Sequence, residues 1–357
     1  SAFHCGELGG LPALLCLACL PALITNFGPN TARIRYDYFQ TLGELQQRHD
    51  IARSAEWCSE HQLDYACNAT PMRNAHRASI PTPGVSGGRA KVGIERARGY
   101  VKPTVSYRHS PGFAAALAAQ AGATRVHDTC FQNTGWALTL QDMKAQLDAL
   151  GVQGTNFFVP HGFYYTLDGL RKHATPPSQF HQNPYWKHFR LLSDYAGRLA
   201  HVLRKGQQVA DIAVLDPVTS LWSHLSHPLH DWSYVGYDSE EESLANHLVA
   251  DWAYITDALQ QMQRPMHSLD PTFLAQARVV DGQLHVGNMR YKALVIPPIT
   301  NLEREAFDIL REFVNAGGAV IALGLLPIEE IQEGSSVIDG FSRLTDMDPS
   351  RMIRDYT

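Results

Sequence analysis

The sequence predicts an α/β protein: the C-terminal strands of a (β/α)8 TIM-type barrel, then a flavodoxin- or Rossmann-like parallel sheet. Three observations predict it. Residues 156–161 (NFFVPH) read as a buried strand that ends in Pro160 and His161 and runs into Gly162-Phe163-Tyr164-Tyr165. Residues 123–131 (ATRVHDTCF) read as a second strand, ending in Gln132-Asn133-Thr134-Gly135-Trp136. A short apolar run that ends in polar donors and aromatics is how such a barrel delivers side chains to its catalytic face. Further on, residues 210–215 (ADIAVL), 291–296 (YKALVI) and 318–323 (GAVIAL) are buried-strand runs separated by helical segments. That alternation belongs to an open parallel sheet.

With 357 residues, 45% of them apolar, the chain can fill two cores. The expected division is 1–207 for the partial barrel and 208–357 for the flavodoxin-like domain. Residues 11–24 (LPALLCLACLPALI) are too few to span a bilayer, which takes ~20. Pro12 and Pro21 bracket the run, and Glu7 rather than a cation precedes it, so it reads as a short packed helix and not a signal peptide. Residues 31–62 form a long helix whose stripe is Ile34, Tyr38, Leu42, Leu45, Ile51, Ala55 and Cys58. A short strand follows at 63–68. Residues 70–105 are irregular, with prolines, Gly84, Gly87 and Gly88; a loop of that length is usually functional.

Residues 112–121 are an Ala-rich helix. Thr139 caps the next helix, supported by Asp142, and Asn183-Pro184 opens another that runs to about Leu203. In the second domain, a helix at 240–263 precedes a strand at 266–269. A hairpin at 278–286 turns on Asp281-Gly282, and a helix covers 302–316. A complete barrel takes about 250 residues. Only three or four strands fit before Val209, so the earlier ones are expected to be missing or reduced, and the second domain to stop unfinished at Thr357.

Composition excludes some classes. A net charge of −5 gives no footprint for nucleic acid, and no segment reads as membrane-spanning. The 14 Tyr, 14 Phe, 6 Trp and 17 His suit sugar recognition, and equally an ordinary large core. Cysteines at 5, 16, 19, 58, 67 and 130 read as small buried hydrophobes, because the C-x-x-C at 16–19 has no second pair. His224, His227 and His230, followed by Asp231, are spaced to share a helix face and hold a divalent metal. Pro228 interrupts such a helix, so loop histidines are the default reading and no metal is assigned. Gly317-Gly318 lacks the order of a dinucleotide loop. Gly324-Leu325-Leu326 lacks the Cys or Ser of a nucleophile elbow.

The candidate substrate-binding residues cluster at the two strand ends. His161 suits a hydrogen bond to a sugar hydroxyl; the alternative is a histidine satisfied inside the barrel rim. Asn133 and Trp136 suit binding and stacking of a sugar, with core packing as the alternative for Trp136. Tyr164, Tyr165, Asp168, Arg171 and Lys172 lie on the following loop, where they either close over substrate or simply meet solvent. Trp186 reads as packing, with cleft lining as its alternative.

Several segments carry a family resemblance. They are Gly135-Trp136, Gly151-Val152-x-Gly154-x-Asn156, His161, the stretch 176–186, Ser193-Asp194-Tyr195-x-x-Arg198-Leu199, and Val209-Ala210-Asp211-Ile212-Ala213-Val214. In that order they resemble the large bacterial α-L-rhamnosidase-like glycoside hydrolases. In those enzymes a catalytic barrel is followed by a flavodoxin-like domain of the β-galactosidase trimerisation type. The resemblance covers roughly residues 11–325. It implies that 124–130 is the seventh barrel strand and 155–159 the eighth. Family members carry a Glu near the end of the seventh strand, in a Thr-Glu-Thr-Phe-like context. That position falls on Thr129 here, while Phe131 keeps its place. Asp128, one residue earlier, would point to the opposite face of a regular strand. The second acid is implied at the fourth strand, around or before Ser1, where Glu7 is the nearby carboxylate.

Asp128 and Glu7 are therefore the catalytic candidates, although glycoside hydrolysis ordinarily needs two well-placed carboxyl groups. The resemblance implies a carbohydrate substrate, a periplasmic or secreted location, and homo-oligomers. Calcium is implied by the family only, with no ligands assigned. The expected activity is glycoside hydrolysis of carbohydrate side chains. The alternative is a non-catalytic relative that binds carbohydrate or supports assembly.

Overall fold

The computed structural model describes residues 19–68, 73–86, 110–224, 226–227, 233–234, 236–332, 334 and 336–345. Glu7, Cys5, Cys16, His230 and Asp231 lie outside the described residues, as does the side chain of His227. The chain forms two compact units. In terms of described residues, one holds 55–68 and 80–208, and the other holds 19–54, 73–79 and 209–345. The expected single cut near residue 208 is thus half of the division. Residues 19–54 and 73–79 pack with the second unit, because Arg35, Tyr36 and Arg73 are bonded to groups between 223 and 303.

The first unit is a run of parallel strands in chain order: β1 (Ala66–Cys67), β2 (Thr82–Ser86), β3 (His127–Cys130) and β4 (Phe157–Pro160). Sequential parallel neighbours are the arrangement of a (β/α) barrel, as the sequence predicts. β2 corrects the reading of 70–105 as irregular. Its sequence, TPGVS, carries two residues that usually break strands. Gly84 is nonetheless required, since a Cβ there would lie 2.3 Å from the His127 ring and 2.4 Å from its carbonyl oxygen.

The helix Pro111–Ala121 starts where the Ser110 hydroxyl accepts a hydrogen bond from the Phe113 amide, and it ends at Gly122 with φ of 80°. Its alanines pack on the sheet in a cluster with Val85 and Val126. The helix Leu140–Val152 begins with a full capping box between Thr139 and Asp142. The next α-helix, Phe189–Leu203, starts five residues later than Asn183-Pro184 predicts. Asn183 Oδ1 accepts from the Tyr185 amide at 2.9 Å and turns the chain into a 3-10 segment first.

The second unit is built on β5 (Ile212–Leu215), β6 (Met266–Leu269), β7 (Ala293–Ile296) and β8 (Ala319–Ala322). They lie parallel in the order β8-β7-β5-β6. Its helices include Ser239–Gln261, capped by Asp238, and Arg304–Asn315. The hairpin turns through Asp281 and Gly282, at φ of 50° and 68°, as a two-residue Asp-Gly turn demands, and a third strand, Met289–Tyr291, extends it.

The N-terminal helix is three pieces: α Thr31–Gln46, π Gln47–Ile51 and α Ala52–Glu60. Its buried face is Arg35, Tyr36, Phe39 and Gly43. The predicted stripe residues Tyr38, Leu42 and Leu45 are exposed. Ile51 of the stripe is buried as expected, but the stripe fails over 38–45, where a cation occupies the inward face. Arg35 donates to the Ala22 and Ser223 carbonyls and pairs with Glu241. Tyr36 and Phe39 then join Val218, Leu221, Trp222 and Leu248 in the core. Among the described cysteines only Cys130 is fully buried; Cys19, Cys58 and Cys67 are half-buried and free. Among the described residues, no helix is long and apolar enough to cross a membrane.

Candidate functional site

Strand alternation sorts the residues of β3 onto two faces. Val126 packs on the helix Pro111–Ala121, and Cys130 packs on the helices Leu140–Val152 and Phe189–Leu203. Asp128 lies between them on that helix-facing side and has no exposed surface. Thr129 takes the other face and is partly exposed. In register with it are Val159 at 37% exposure and, two residues earlier, Phe157 at 42%. This face, the inner face of a barrel, is open at β4. Thr129 thus lies on the partly exposed side of β3, and Asp128 on the buried, helix-facing side.

The chain leaves β3 through a tight turn. Phe131, Asn133 and Gly135 have φ of 73°, 56° and 84°. A regular strand would send Phe131 to the open face; its left-handed backbone turns the ring back beside Cys130 in the helix-side core. The Thr134 hydroxyl donates to the Phe131 carbonyl at 2.6 Å and closes the turn. Asn133 is left exposed at its tip.

Hydrogen bonds then stitch the two strand ends to the loop after β4. The His161 amide donates to the Cys130 carbonyl at 2.9 Å, continuing the ladder by one residue. The His161 ring meets the Tyr164 ring edge-on at 6.1 Å, and its buried Nδ1 has no hydrogen-bond partner among the described residues. Tyr164 Oη lies 2.7 Å from Thr175 Oγ1. Trp136, 38% exposed, donates Nε1–H to the Lys172 carbonyl at 2.9 Å, and the Gly135 amide donates to the Pro176 carbonyl. Residues 172–176 thus tie Trp136 to Tyr164, and Tyr164 touches His161. Asn133, Tyr165 and Arg171 stand apart as exposed side chains, Tyr165 at 91%. The arrangement offers aromatic edges and an unmet imidazole nitrogen beside an open sheet face.

A cavity of about 480 Å³ lies by the same strand ends. Phe131, Pro160, Phe163, Trp186 and Phe189 form its apolar walls, and Gln179, Lys187, Arg190 and Ser193 its polar part. Of this group the sequence offers Trp186 alone as a cleft-lining residue. The available signal is the aromatic spacing Phe180, Trp186, Phe189, which builds a chain of edge-to-face rings 5.2 and 6.0 Å apart.

The second unit presents its own strand ends, the place where open α/β sheets usually bind ligands. Here that place is filled by the protein. Arg73, fully buried, meets Asp270 at 2.8 Å after β6 and Glu303 at 2.9 Å beyond β7. Thr219 Oγ1 donates to the same Glu303 carboxylate, and Ser220 Oγ accepts from the Thr300 amide. Burial alone would raise the Asp270 carboxyl; Arg73 overrides it and holds the group below the usual carboxylate range. Burial, helped by the Arg73 charge, pushes the His76 ring down to about 4. Among the described residues, no three His, Cys, Asp or Glu side chains are placed to hold a metal. His224 instead contacts Thr300 Oγ1 at 3.0 Å and Glu241 at 3.5 Å.

No family model and no curated protein matches the chain. Solved structures do. A rhamnosidase from Novosphingobium sp. PP1Y superposes with a TM-score of 0.61 at 18% identity, over 88% of this chain and 28% of its own. The GH42 β-galactosidase Gan42B gives 0.53 at 12% identity, over 86% and 44%. A β-galactosidase from Bacillus circulans sp. alkalophilus gives 0.52 at 12%, over 84% and 41%. The chain spans less than half the length of each of these enzymes. What it shares with them is the fold, a partial β/α barrel and a smaller flavodoxin-like sheet.

Proposed function

We propose that this chain belongs to a glycoside hydrolase of the α-L-rhamnosidase-like kind, acting on carbohydrate side chains, and that the described part supplies sugar-binding groups. The observation that carries the reading is the exposed face of β4 at Phe157 and Val159, which His161 continues in contact with Tyr164, with Trp136 tied to the same following loop. Rings cover the C–H faces of a sugar, and the unmet His161 nitrogen meets a hydroxyl. Asp128 is not the acid in this reading, since it is sealed on the helix side. The test is hydrolysis of aryl α-L-rhamnosides by the full chain and by Asp128→Asn and His161→Ala. Activity retained in Asp128→Asn and lost in His161→Ala fits; loss of turnover in a folded Asp128→Asn refutes the assignment.

Thr129 favours a second reading, a relative that binds carbohydrate without cleaving it. A hydroxyl cannot replace the carboxylate that protonates a leaving oxygen or attacks the sugar. This reading expects retardation on polysaccharide gels, weakened by Trp136→Ala, with no hydrolysis of any aryl glycoside.

A further inference from the structure

The cavity beside Trp186 is built differently from the open sheet face. Its volume of about 480 Å³ falls in the range of small-ligand sites, roughly 300–1,000 Å³. Phe163 and Phe189 each meet Trp186 nearly edge-on, at 6.2 and 6.0 Å, so three rings present faces and edges in fixed orientations. Gln179 lies in the wall and is 3% exposed, yet its Nε2 has no hydrogen-bond partner among the described residues. Its backbone amide is anchored on the Gly162 carbonyl at 2.9 Å, which fixes where the side chain begins. A buried donor left unmet is costly, so it marks a place where an acceptor belongs. Among the described residues, the two charged side chains that line the cavity, Lys187 and Arg190, are both cationic, and no carboxylate lines it. Among the described residues Arg190 is engaged by a long, exposed pair with Asp194 at 3.7 Å, which holds it weakly.

We propose that this cavity is a subsite for a sugar ring bearing a carboxylate, a uronate unit of the glycan, an inference that rests on the carbohydrate reading above. The rings take the C–H face of the sugar. Gln179 donates to a ring hydroxyl or carboxylate oxygen, and Lys187 and Arg190 neutralise the acid. A neutral hexose satisfies the first two requirements but brings no charge to Lys187 and leaves Arg190 with its long pair to Asp194.

The experiment is calorimetric titration of the full chain with D-galacturonate and with D-galactose, which differ at the carboxylate. Galacturonate binds saturably and galactose about ten-fold more weakly, the difference expected of one charge-assisted contact. Added salt narrows the gap. The double variant Lys187→Gln/Arg190→Gln changes only exposed side chains; it brings galacturonate to the galactose level and leaves galactose unchanged. Trp186→Ala weakens both. Equal binding of the two sugars, indifference to the double variant, or absence of saturable galacturonate binding overturns the proposal. Tighter binding of benzoate than of galacturonate also overturns it, since the ligand is then an aromatic acid. Retardation on neutral polysaccharide gels, run in parallel with His161→Ala, separates the two readings. Retention that depends on His161 without galacturonate binding sinks the subsite alone. Galacturonate binding without retention or hydrolysis keeps the subsite's ligand and removes the polysaccharide function.

Discussion

A guanidinium with no exposed surface persists only where carboxylates surround it, and Arg73 meets two of them at 2.8 and 2.9 Å. Removing it leaves Asp270 and Glu303 buried without their counter-charge. Arg73→Met is therefore expected to cost about 3–5 kcal/mol of unfolding free energy, read from urea titration. Adding Asp270→Leu and Glu303→Leu to it removes the stranded charges, and most of the loss should return. A single-variant loss of only a few tenths would mean the cluster is already hydrated. None of this was legible in the sequence: the partners lie 197 and 230 residues from Arg73, beyond any local pattern. The faces of Asp128 and Thr129 were legible, because alternation is a property of the strand backbone itself. Gln179 was not, since an unmet buried donor exists only once the surrounding fold has closed.

Elements announced by backbone chemistry were read well, and those set by packing were not. Thr139 and Asp142 cap their helix because hydroxyl and carboxylate lie at the spacing the free amides require, and Asp281-Gly282 supplies the two positive φ values of its turn. Thr139→Ala should cost about 1 kcal/mol, seen as a lower thermal midpoint; no change would show that water replaces the cap. β2 was missed because Pro83 and Gly84 hide it, yet Gly84 is what lets β2 lie against His127. Gly84→Ala should destabilise the first unit by at least about 1–3 kcal/mol, the usual cost of overpacking. Amide exchange across 82–86 and 127–130 should accelerate together in that variant; protection unchanged at both strands would refute the contact. The N-terminal helix was placed correctly but its inward face was not, since hydropathy cannot foresee that Arg35 is buried by pairing with Glu241.

The division of the whole molecule follows the same logic: the barrel's strand order is local and was predicted, whereas the docking of 19–54 and 73–79 onto the second unit depends on charges far apart in the chain. That docking makes the second unit sensitive to acid. Burial pushes both His76 and His267 down to about 4, from an ordinary value near 6.5. Between those values the unfolded chain binds more protons than the native one, so stability rises with pH. Each histidine's contribution is complete above about pH 6.5 and lost as pH falls toward 4, at most roughly 3 kcal/mol apiece. Asp270, held below the carboxylate range, keeps its contribution until pH drops below about 4 and then loses it. Trp222 and Trp252 are both buried in this unit, whereas Trp57, Trp136 and Trp186 of the other are exposed, so the red shift of the buried-tryptophan emission in urea reports its unfolding. Unfolding free energy should fall steeply from pH 7 to pH 4.5, and the fall should shrink in His76→Gln and again in His76→Gln/His267→Gln. A slope the same in all three proteins would mean that other groups carry the acid sensitivity and that these two rings titrate alike in both states.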